Sequence, residues 1–153
     1  MSVQEDLPMT LRAAYLALHR RSDVAFSQHG VTADQFVLLV TLSRGEALTQ
    51  RELARRMPSD PSTVRAMLVL LEKAGLVDRE PHPGDARART VRLTAKGRKT
   101  LKRLWSVGQP IRDELFDAVG PRQAKVLVEL LAKVAHALNP ELQGVSRESS
   151  SRD

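Results

Sequence analysis

TQRELARRMPSDPSTVRAMLVLLEKAG, residues 49–75, is the stretch on which the architecture turns. Thr49-Gln50-Arg51-Glu52 has the form of a capping box: a hydroxyl that accepts from the backbone three residues on, and an acid that reaches back. It predicts a short helix with Leu53, Ala54 and Met57 facing inward. Pro58-Ser59-Asp60-Pro61 then reads as a turn. Asp60 suits an N-cap and Pro61 suits the first helical position, where its missing N–H is no loss. The second helix should run to about Ala74 and stop at Gly75. Two short helices joined by a tight turn make a helix-turn-helix, whose second helix is placed to enter a DNA major groove.

Downstream, Leu76 to Glu80 reads as a strand and Thr90-Val91-Arg92-Leu93-Thr94 as its alternating partner, with a turn at Pro83-Gly84-Asp85. Strand, turn and strand after a helix-turn-helix form a wing. Thr94 should cap a long helix carrying Leu101, Leu104, Trp105, Ile111, Leu115, Phe116 and Val119, kinked at Pro110. Gly120-Pro121 breaks the chain, and a last helix follows from about Pro121 to Leu138. That helix is apolar at Leu127, Leu131, Val134 and Leu138, but also at Val126, Val128 and Leu130. A helix apolar most of the way round needs burial on two sides, and in a small protein a second subunit is the simplest supplier.

Upstream, Leu7, Leu11, Ala14, Leu18 and Ala25 recur at helical spacing and predict a long first helix, about Leu7 to Gln28, ended by Gly30. Thr32-Ala33-Asp34-Gln35 fits another capping box, opening a short buried helix through the apolar run Phe36 to Leu42.

The charge follows this plan. Residues 51–103 hold 14 of the 24 Lys and Arg but 6 of the 18 Asp and Glu, while the whole chain of 153 residues carries +6. A basic centre between near-neutral flanks is the footprint of a polyanion binder, although a merely solvated basic face gives the same count. None of the five aromatics, Tyr15, Phe26, Phe36, Trp105 and Phe116, lies in the basic helices and wing ahead of Arg103. Stacking platforms for single strands are therefore disfavoured and duplex DNA is preferred. Without cysteine there is no disulfide, thiol sensor or cysteine-ligated zinc. No apolar run approaches a membrane span, so a cytoplasmic protein without membrane contact is expected. His19, His29, His82 and His136 fall in separate elements, and no metal site or resident cofactor is expected. No Gly-rich phosphate loop, nucleophile elbow or paired-carboxylate motif is present, and the chain does not read as an enzyme.

Three motifs in order resemble those of the MarR (multiple antibiotic resistance regulator) family. They are Thr49-Gln50-Arg51-Glu52-Leu53-Ala54, then Leu71-Glu72-Lys73-Ala74-Gly75-Leu76-Val77-Asp78-Arg79, then Asp85-Ala86-Arg87 followed by Val91-Arg92-Leu93-Thr94 and Gly97. The resemblance implies a mainly α protein with a small β wing: a winged helix-turn-helix at residues 31–97, a dimerisation helix at 1–30, further dimerisation helices at 98–139, and a disordered tail at 140–153. It implies a homodimeric transcriptional regulator, in the first instance a ligand-responsive repressor, that binds double-stranded DNA at an inverted repeat. Ser62, Thr63 and Arg65 would read the major groove. Asp85, Arg87 and Arg89 would serve the wing, with Arg87 in the minor groove. Arg51, Arg55 and Arg92 would touch phosphates, Arg55 fitting a solvated helix face equally well.

Ala66 and Val69 stand where the family usually has polar residues, which narrows the base-reading face. A protein-interaction dimer that has lost DNA binding, and a non-specific architectural DNA binder, are the rival readings. A small aromatic or otherwise apolar effector would lie between the dimer helices and the winged helix, where His19, Phe36 and Trp105 fit either a ligand pocket or simple core packing.

Overall fold

The computed structural model describes residues 1–45, 48–82 and 84–141; the side chains of residues 82 and 85–88 lie outside that description, as does most of the tail expected from residue 140. Among the described residues, seven helices and three strands follow in the order α1 (Val3–Ser27), α2 (Ala33–Arg44), β1 (Leu48–Thr49), α3 (Gln50–Arg56), α4 (Pro61–Lys73), β2 (Val77–His82), β3 (Asp85–Leu93), α5 (Ala95–Val107), α6 (Gln109–Val119) and α7 (Pro121–Leu138).

The helix starts are fixed by side chains. Thr32 Oγ1 accepts from Gln35 N at 3.1 Å while Gln35 Oε1 accepts from Thr32 N at 3.1 Å. Thr49 and Glu52 make the same reciprocal pair at 3.1 and 2.9 Å. Each pair satisfies two backbone donors that the helix itself leaves open. A third box lies outside the apolar spacing that predicts α1: Ser2 and Glu5 cap each other, so α1 begins at Val3 rather than near Leu7.

β1, β3 and β2 form an antiparallel sheet in that order. Leu48 pairs with Val91, and the hairpin register runs from Val77 opposite Leu93 to His82 opposite Asp85. Both hairpin strands are longer than the alternation predicts. Pro81 does not end β2 because β2 is an edge strand, where a missing N–H breaks no ladder bond if it points outward. The register is irregular between Pro81 and His82.

The expected single helix from Thr94 with a kink at Pro110 is corrected: α5 stops at Gly108 and α6 starts there, with Pro110 in its first turn. A proline is tolerated in the first turn of a helix, so the chain restarts at this point instead of bending.

The core belongs to the winged helix. Leu38, Leu39, Leu53, Val64, Leu68, Val77 and Leu104 are wholly buried, and among the described residues every buried hydrophobic side chain lies between Phe26 and Leu104. α6 and α7 bury none. α4 and α5 are clamped together at the root of the wing. Gly75, at φ +75°, turns the chain out of α4. Thr94 Oγ1 donates to the Gly75 carbonyl at 2.6 Å, and Lys96 Nζ donates to the Ala74 carbonyl at 2.9 Å. Gly97 brings α5 so close to the Leu76 carbonyl that a Cβ there would sit 2.0 Å from its oxygen. No helix of the described residues is long and apolar enough to cross a membrane.

Candidate nucleic-acid interface

α4 buries Val64, Met67, Leu68 and Leu71 and turns Ser62, Thr63, Arg65, Ala66 and Val69 outward. Its inner face is what the helix periodicity demands of a core helix. Its outer face is a surface with few neighbours of its own, and Arg65 has no side-chain partner among the described residues. Arg65 follows Ser62 by three residues, so the two share that face.

The first turn is organised by Asp60. Its Oδ1 accepts from Ser62 N at 3.0 Å and from Ser62 Oγ at 2.7 Å, and its Oδ2 accepts from Thr63 Oγ1 at 2.5 Å. These bonds, that of Thr63 first and those of Ser62 next, hold the Asp60 carboxyl down at about 2. Read from sequence, Asp60 is a backbone cap only. The clue to its larger role is an acid followed at two and three residues by hydroxyl side chains.

On α3, Arg51 and Arg55 are exposed and border a cleft of about 430 Å³ with Ser59, Asp60, Asn139 and Glu141. On β3, Arg89 is exposed. Asp85 and Arg87 belong to β3 by their backbone, but their side chains lie outside the described residues. Arg92 is an exposed residue already engaged with Glu80 across the hairpin, in contrast to Arg51, Arg55, Arg65 and Arg89. Arg79 is a structural brace: its Nε donates to Glu72 on α4 at 2.5 Å and its Nη1 to Gln50 on α3 at 3.3 Å. The structure thus places Ser62 and Arg65 on one helix face, with Thr63 exposed on its flank, and Arg51 and Arg55 beside the start of that helix.

His19, Phe36 and Trp105 come together in a cavity of about 270 Å³ between α1, α2, α5 and α6, with Tyr15, Arg112 and Leu115 on its walls. Phe36 stands 4.4 Å from Phe26 and 5.9 Å from Trp105 between ring centroids, and the Arg112 guanidinium lies 4.3 Å over the Trp105 ring. His19 is 3.3 Å from Asp23 and 4.0 Å from Asp34. Phe36 and Trp105 therefore pack on neighbours and line a cavity at once. A larger, more open cleft of about 750 Å³ lies between the end of α2, β3 and α5, with Arg92, Arg98 and Lys102 around Val40 and Leu101.

Comparison with known proteins agrees with this geometry. A family model described as MarR family matches residues 29–88. The HTH-type transcriptional repressor Mb2911 of Mycobacterium bovis is 33% identical over 109 residues, covering 70% of this chain and 78% of the repressor. Sco3205, a MarR family transcriptional regulator from Streptomyces coelicolor solved in complex with DNA, superposes with a TM-score of 0.82 at 29% identity, covering 92% of this chain and 94% of that one. A mutant MarR from Escherichia coli complexed with operator DNA gives 0.77 at 28% identity, covering 84% and 93%. With its winged helix, its helical flanks and these relatives, the chain belongs to the MarR family of transcriptional regulators.

Proposed function

We propose that this chain is a homodimeric, ligand-responsive repressor that binds a specific inverted repeat in double-stranded DNA, in the cytoplasm. The observation that carries this reading is the outer face of α4. It presents Ser62, Thr63 and an Arg65 without a side-chain partner among the described residues, next to the exposed Arg51 and Arg55, in the most basic part of the chain. Arginine is suited to bidentate contact with guanine O6 and N7, and the α3 and wing arginines to phosphates and the minor groove. The Streptomyces and Escherichia relatives, both solved with DNA, support the same docking.

The dimer is supported by the apolar surface that α6 and α7 leave uncovered: Leu115, Phe116, Val126, Leu127, Val128, Leu130 and Leu131 are all exposed in the single chain. Burying such a set against a second copy supplies the apolar area that these helices otherwise lack. Two-fold pairing would set the α4 helices about 34 Å apart, one turn of duplex. The cavity beside His19, Phe36 and Trp105 has aromatic walls and suits a small aromatic or otherwise apolar effector.

Selection of duplexes from a random pool tests this reading. The expected product is an inverted repeat whose half-sites lie about 10 base pairs apart. Arg65→Ala should weaken binding to it by about 1–3 kcal/mol and relax one position of each half-site. A chain that ignores every duplex in dilute buffer would instead favour a protein-interaction dimer, to which the exposed Ala66, Val69 and Leu70 on α4 would then belong.

A further inference from the structure

We propose that Asp60 decides which bases α4 can read, by fixing the hydroxyls of Ser62 and Thr63 as hydrogen-bond acceptors, so that the bases they face are adenine or cytosine. The inference rests on the DNA-binding reading above and adds to it the chemistry of the contacted base.

An ionised carboxylate has no hydrogen to give, so both hydroxyls must donate to it. Ser62 Oγ does so at 2.7 Å to Oδ1 and Thr63 Oγ1 at 2.5 Å to Oδ2. A hydroxyl carries one proton. With that proton directed at Asp60, each oxygen has only lone pairs to present outward, and both residues are exposed. A third bond, from Ser62 N to Oδ1 at 3.0 Å, holds the carboxylate in place.

In the major groove, adenine offers its N6 amine and cytosine its N4 amine as donors; guanine and thymine offer O6, N7 and O4, which are acceptors. An acceptor-only pair beside a negative carboxylate therefore matches the amine-bearing bases and opposes the others. The hydroxyls have little reason to turn away. Hydrogen bonds to an ionised partner are roughly twice as strong as neutral ones, so giving one up for a guanine or thymine oxygen is a net loss. The same count disfavours Ser62 and Thr63 as phosphate contacts, which need donors. Arg65, donor-only, then supplies the complementary half of the code on the same face.

Asp60→Asn isolates the effect. Asparagine caps a helix about as well as aspartate, so the fold is kept. Its amide, however, has one accepting oxygen and one donating nitrogen. The hydroxyl facing the NH2 group becomes the acceptor of that contact, and its own proton turns outward.

Duplex selection from a random pool would be run with the wild-type, Asp60→Asn and Thr63→Val chains. Thr63→Val identifies the half-site position that depends on the hydroxyl. Every base pair carries one amine-bearing base, so in the selected duplex the adenine or cytosine of that pair is replaced by its counterpart lacking the exocyclic amine. The wild-type chain should lose about two- to tenfold in affinity on that replacement, and Asp60→Asn should lose less. No loss in the wild-type chain, or an equal loss in Asp60→Asn, would overturn the inference while leaving DNA binding intact. If no chain enriches any duplex, the DNA-binding reading falls and this inference with it. The wild-type loss tests the proposal even if Asp60→Asn fails to fold.

Discussion

Between Phe26 and Leu104 the chain buries a continuous set of apolar side chains from α2, α3, α4, the sheet and α5, whereas between Gln109 and Leu138 it buries none. The two regions are built from similar material, since α7 is as rich in Leu and Val as α4. They differ in what stands opposite. Leu68 on α4 is fully enclosed, and Leu130 on α7 is 51% exposed. A helix of this length gains most of its stability from packing an apolar face and is marginal in water without it. The winged helix therefore has its own reasons to fold, while α6 and α7 leave their apolar residues uncovered in the single chain.

The largest expected effect comes from breaking the second region. Leu127→Asp combined with Leu131→Asp puts charge on the uncovered α7 face. It should weaken self-association more than about 100-fold, because a buried unpaired charge costs several kcal/mol. Sedimentation equilibrium would then find a 17.0 kDa species in place of one twice that mass. A wild-type chain that already sediments as a monomer would dissolve the contrast.

Leu68→Ala attacks the first region. It should cost about 2–5 kcal/mol in urea unfolding, the range for truncating an enclosed leucine. It should leave the dependence of unfolding on protein concentration in place, while the α7 pair removes that dependence. Equal behaviour of the two variants would mean the regions are not energetically separable.

The smallest effect sharpens the comparison at one residue. The Asp60 carboxyl titrates at about 2 in the folded chain against an ordinary 3.8. Between those values the unfolded state binds more protons, so the stabilisation from Asp60 is complete above pH 3.8 and is lost as pH falls toward 2. Asp60→Asn should flatten this part of the acid-unfolding curve. The group is fully exposed, so solvent screens the effect and the change should be slight.

Much of this was legible in the residues, because caps act locally. Thr32, Thr49, Asp60 and Thr94 each announce a helix start through a side chain two or three residues from its target, and each is used that way. What escaped depends on competition or distance. Ser2 and Glu5 were hidden because the apolar repeat begins only at Leu7. Gly108 lies inside an unbroken apolar pattern, so the division of α5 from α6 looked like a kink at Pro110. β1 has two residues and exists only by pairing with Thr90 and Val91, a partner 43 positions away in the register of Leu48 with Val91. In the candidate site, composition and motif point to Ser62, Thr63 and Arg65 as expected DNA contacts, but not to Asp60 holding the Ser62 and Thr63 side chains. The engagement of Arg92 with Glu80 follows from strand register, which alternation alone does not supply.

The contact of Gly97 with the Leu76 carbonyl has a mechanical consequence. α5 is gripped at one end by the root of the wing, and its other end carries Trp105 into the cavity with Phe36. Between them run about two turns of helix, a stiff element. A tilt imposed at Trp105 has no slack at Gly97 to absorb it, since the backbones already touch. The two ends of α5 are thus tied, one to the root of the wing and the other to the aromatic cavity.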